Sequence, residues 1–63
     1  MYKVYFSNPH HSDMIMVLET SEEAIKFATN LGALYIEEDQ ENPGYFDAVD
    51  KHGRVICIEP YKA

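Results

Sequence analysis

Only one cysteine, Cys57, occurs in the chain, so no intramolecular disulfide can staple it. Tryptophan is absent, and the three glycines, Gly32, Gly44 and Gly53, are too scattered to build a phosphate-binding loop. No apolar run approaches the roughly twenty residues that a membrane-spanning helix needs. The opening MYKVYF reads as a strand and not as the apolar stretch of a signal peptide. A cytoplasmic protein is therefore expected. Positive charge is scarce too: five Lys and Arg stand against eleven Asp and Glu, a formal net charge of −6. Direct contact with nucleic acid relies on a basic surface, as does adhesion to anionic lipid, so neither is expected. An acidic surface suits basic protein partners, including the nucleic-acid channels of other proteins. The same charge also serves solubility alone.

What is present suffices for one small core. Hydrophobic residues are 46% of 63, a globular composition. A chain of this size buries only about 60% of the surface its unfolded form exposes, which leaves little room for an enclosed active site. One domain spanning residues 1–63 is expected, with self-association or a partner as a natural source of further stability.

Tyr2, Val4 and Phe6 alternate with Lys3 and Tyr5, the pattern of a half-buried strand. SNPHHSD collects loop formers, and MIMVLE, apolar on both faces, predicts an interior strand. In TSEEAIKFATNLG, Thr20 and Glu23 have capping-box spacing and Gly32 suits the position after the helix. Ala24, Phe27, Ala28 and Leu31 share one helical stripe, with Phe27 expected to be buried, and Glu22 precedes Lys26 by four residues. ALYIEE alternates again, placing Leu34 and Ile36 on one side and Ala33, Tyr35 and Glu37 on the other. NPG predicts a turn, and DKHG between YFDAVD and RVICIE predicts a hairpin. The order ββαβββ predicts a two-layer α+β domain, an antiparallel sheet of four to five strands with one helix on one face. The other face would be partly apolar, drawing on some of Tyr5, Ala33, Tyr35 and Tyr45 and on either Val55 with Cys57 or their neighbours. It would either meet a partner or stand solvated, with its tyrosines paired across strands.

Chemistry-bearing residues are few. His10, His11, Asp13 and His52 lack the spacing of a zinc site, and exposed turn histidines are expected, with no metal. Ser7, Ser12 and Ser21 have turn or helix-start roles, and no carboxylate sits in the apolar setting that tunes a general acid. Neither an enzyme nor a cofactor is expected. Cys57, between Ile56 and Ile58, reads as a strand residue and not as a reactive thiol.

IEEDQENPG concentrates four carboxylates, Glu37, Glu38, Asp39 and Glu41, in five residues. With Asp47 and Asp50 nearby in the next strand, these could form a negative band spaced by strand geometry. The alternative is a solvated loop whose charges discourage edge-to-edge aggregation. Tyr35 and Tyr45 would give the band rigid aromatic contact area.

The arrangement strand–ETSEEAIKFA–strand in a tiny acidic chain resembles, in size, charge and element order, the small phage-encoded host-takeover and anti-defence proteins. These include inhibitors of RNA polymerase, antitoxins that block host nucleases, and anti-CRISPR proteins. The resemblance implies a binding protein that inhibits or regulates a basic, nucleic-acid-handling protein by occupying its surface. The site would be Glu37, Glu38, Asp39, Glu41, Asp47, Asp50, Tyr35 and Tyr45. A homodimerising module without such a target is the alternative; repulsion between like-charged copies favours a monomer.

Overall fold

Alternation in the first strand and the turn chemistry further on lay out an antiparallel sheet in the computed structural model, which describes residues 1–7 and 12–62. Its elements are β1 (Tyr2–Ser7), β2 (Ser12–Leu18), α1 (Ser21–Asn30), β3 (Ala33–Glu38), β4 (Phe46–Asp50) and β5 (Val55–Pro60). The five strands form one sheet in the order β2-β1-β5-β4-β3, with every pair antiparallel. The α+β class and the order ββαβββ are those read from the sequence. His10 and His11 lie outside the described residues.

The helix starts where its capping box is written. Thr20 is the N-cap, its hydroxyl oxygen accepting the Glu23 N–H at 3.1 Å. The reciprocal bond differs from the usual box: the Thr20 hydroxyl donates to the Glu23 carboxylate at 3.1 Å. Helix and sheet meet through small residues. Ala24 and Ala28 are fully buried against Val4, Ala48, Ile56 and Ile58, so the backbones approach closely. Phe27, expected to be buried, is half-buried and packs at the rim of this core with Ile25 and Leu31. The two alanines, not the ring, occupy the centre of the contact.

Two strand assignments change. β2, expected in the interior, is an edge strand that pairs with β1 alone. Its connection to β1 puts it on the outer side of that strand, and β5 takes the inner side. Leu18 packs against the core, while Met16 is left largely exposed. In β3 a bulge falls between Ala33 and Tyr35: Ala33 faces Asp50 and Tyr35 faces Val49. The extra residue, Leu34, is turned out and 67% exposed, while Ala33 joins Ile36 against the core. Simple alternation from Ala33 fails there because a bulge adds one residue to one strand and shifts the facing pattern.

Candidate functional site

The face away from the helix can be built row by row from the register. Glu37 lies opposite Asp47, Asp47 opposite Cys57, and Cys57 opposite Tyr5. In the neighbouring row Tyr35 is opposite Val49, and Val49 opposite Val55. Same-face residues recur every second position. Tyr35 is therefore one step from Glu37 on β3, and Tyr45 one step from Asp47 before β4. Because the strands are antiparallel, the two tyrosines flank the Glu37–Asp47 pair from opposite ends, with Tyr35 78% and Tyr45 43% exposed.

The two sides of this face differ in how their charge is balanced. Toward the first strand Lys3 bridges to Glu59 at 3.1 Å, and the Tyr5 hydroxyl donates to the same carboxylate at 3.0 Å. The Lys3 ammonium also lies over the rings of Tyr5 and Tyr61. Burial and the Glu59 hydrogen bond push the Tyr5 phenol well above its ordinary range. In the middle, the Cys57 thiol donates to Asp47 at 3.7 Å. Burial raises the Cys57 pKa, and the Asp47 and Glu59 carboxylates add to it against the opposite pull of the Tyr5 hydrogen bond. That environment disfavours the thiolate and hence nucleophilic chemistry. Toward β3, no described ion pair reaches Glu37 or Asp47.

The acidic stretch divides into carboxylates that hold the loop and carboxylates that face water. Asp39 accepts the Glu41 N–H at 2.8 Å and the Asn42 side-chain amide at 3.3 Å, which together hold its carboxyl below the ordinary carboxylate range. Glu38 accepts the Gly44 N–H at 3.0 Å. The Asn42–Tyr45 turn closes with a 3.1 Å backbone bond, and Asp39 N–H donates to the Tyr45 carbonyl at 2.8 Å. Gly44 has φ 91°, a conformation that favours glycine, and a Cβ there would stand in tight contact 3.3 Å from Pro60 Cγ. Glu37, Glu41 and Asp47 are exposed, and no hydrogen bond from them to the loop backbone is seen among the described residues. Glu37, Glu38, Asp39, Gln40 and Asp47 line a shallow concavity of about 220 Å³. Among the described residues no three His, Cys, Asp or Glu side chains are grouped to hold a metal ion.

Asp50 is not part of this surface. It is 3% exposed, and its carboxylate accepts the His52 and Arg54 N–H groups, both at 2.9 Å, and Arg54 Nε at 2.7 Å. Burial pushes its carboxyl up, but the Arg54 backbone and guanidinium and the His52 N–H outweigh that and hold it below the ordinary range. Asp50 organises the β4–β5 hairpin, in which Gly53 takes φ 79°. The surface also contains residues that sequence reasoning passed over. Val49 is 42% exposed beside Tyr35, as the alternation in FDAVD could have indicated, and Leu34 is thrown out by a bulge that left no sequence signal.

No family model, curated protein or solved structure matches this chain. No helix among the described residues is long and apolar enough to cross a membrane.

Proposed function

We propose that this chain is a non-enzymatic binding protein that inhibits or regulates a basic, nucleic-acid-handling protein by occupying its surface, in the manner of phage anti-defence inhibitors. One observation carries the proposal: Glu37 and Asp47 face each other exposed, flanked by Tyr35 and Tyr45, and neither has an ion-pair partner among the described residues, whereas Glu59 is paired with Lys3 and Asp50 with Arg54. Like charges placed directly opposite destabilise a sheet, so the pair adds nothing to the stability of the isolated fold. A cationic partner would remove the repulsion, and the tyrosines would add contact area at small conformational entropy. Glu41 extends the negative surface, while Glu38 and Asp39 shape the loop that presents it.

The test is the triple reversal Glu37→Lys, Glu41→Lys, Asp47→Lys, which leaves the loop-holding carboxylates intact. The parent chain, immobilised, should capture a basic protein from a bacterial lysate at low salt and release it to added duplex DNA. The reversed chain should capture none of it. Retention by the reversed chain, or indifference to DNA, defeats the proposal.

The exposed row Tyr35, Val49 and Val55 favours a second reading, a homodimer formed through the open face. Sedimentation at several protein concentrations separates the two. A stable dimer that dissociates on Tyr35→Ala places the homodimer first, and a mass independent of concentration removes it.

A further inference from the structure

The outer side of β3 carries unused hydrogen-bonding groups. Asp39 N–H donates inward to Tyr45, and inward and outward positions alternate along an antiparallel edge strand. Glu37 therefore bonds inward to Asp47, while Ile36 and Glu38 turn their backbone N–H and C=O groups away from the sheet. Among the described residues no strand lies beyond β3. The bulge sets Leu34 and Tyr35 side by side in solvent at one end of this edge, and the side chains of Glu37 and Glu38 stand exposed at the other.

We propose that the β3 edge receives an extended, lysine- or arginine-bearing segment of the partner protein, which adds to the sheet as a sixth strand. This rests on the acidic-surface reading of function and specifies how that surface engages its target. In strand addition the backbone bonds supply affinity, and alternate side chains supply selectivity. The incoming strand would bond to Ile36 and Glu38, and alternate cationic side chains on the open face would meet Glu37 and Asp47. An apolar residue at its end would cover Leu34 and Tyr35. Charge decides the occupant. A second copy of this chain aligning its own β3 there would bring its Glu37 and Glu38 to an edge that already carries the same two carboxylates, whereas a basic strand neutralises them. The same carboxylates thus reject self-pairing and admit a cationic segment.

Two synthetic peptides test this with the intact chain: an alternating Lys–Thr octapeptide, and the same peptide N-methylated at every backbone nitrogen. Their charge is equal, but the second cannot complete a strand ladder. At low salt the first peptide should slow amide exchange at Ile36 and Glu38, and N-methylation should weaken binding by about tenfold or more, as loss of several backbone hydrogen bonds implies. Equal binding of the two, with shifts confined to Glu37, Glu41 and Asp47, overturns strand addition and leaves the acidic surface standing. Protection at β2 instead of β3 overturns the choice of edge. If neither peptide binds, strand addition is overturned, and the lysate capture with its triple reversal decides the acidic surface independently.

Discussion

Neutralising one member of the Glu37–Asp47 pair should make the protein more stable. The two side chains project from directly opposed residues on the exposed face. Two unit charges about 6 Å apart in water repel by about 0.7 kcal/mol. A Debye length of about 8 Å at physiological salt cuts this to about 0.3 kcal/mol. Glu37→Gln should therefore gain about 0.3–0.7 kcal/mol, within the range known for cross-strand pairs. In a domain of this size the melting temperature rises by about 1–5 °C. Asp47→Asn also alters the contact with the Cys57 thiol, so the pair term is isolated by a double-mutant cycle of the two neutralisations. Urea midpoints are measured at about 20 mM and about 0.5 M salt, and the repulsive coupling should shrink at the higher salt. A coupling of zero, or a favourable one, or one that ignores salt, would refute the account of this pair as an uncompensated repulsion.

Ile56→Ala, at a fully buried position in the centre of the sheet, should lower stability by about 2–5 kcal/mol. Phe27→Ala, at the half-buried rim, should lower it by less in the same denaturant series; the reverse order would mean that the ring, not the alanine pair, anchors the helix. The carboxyls of Asp39 and Asp50 titrate below their ordinary value in the folded chain. Their contribution is therefore present above about pH 3.9, the unfolded value, and lost as pH falls through the lower folded values. Asp50→Asn should flatten the acid limb of the stability–pH curve, and an acid limb as steep as the parent's would show that the hairpin does not depend on this carboxylate.

Features with a local cause were legible in the sequence. Thr20 and Glu23 cap the helix, Gly32 follows it with φ 109°, and NPG and DKHG turn the chain as their residue types demand. Features decided by the rest of the molecule were not. An apolar stretch looks the same whether neighbours cover it on one side or two, and β2 proved to lie at the edge. The β3 bulge has no composition of its own, so the facing of Ala33 and Leu34 was inverted. Among the acids, the sequence displays charge but not the hydrogen bonds that commit it. Asp39 and Glu38 turned out to be bound to the loop backbone and Asp50 to Arg54, which narrowed the carboxylates without such a commitment among the described residues to Glu37, Glu41 and Asp47.

The strand order has a consequence for how the domain comes together. The centre of the sheet is the β1–β5 pair, which joins the first strand to the last, and Tyr61 N–H reaches Met1 O at 2.8 Å beside it. Every other strand pair forms between neighbours in the chain and can assemble early. This pair closes the longest loop in the domain, and both Ile56 and Ile58 arrive with it. Until β5 is synthesised, β1 and β4 each keep an open edge and Val4 lacks its neighbour across the sheet. A chain emerging from the ribosome thus holds two unfinished pieces and little cooperative stability. Non-local pairing of this kind slows folding, and the interval before β5 emerges is when the apolar β2 and the open flank of β1 are most exposed to aggregation.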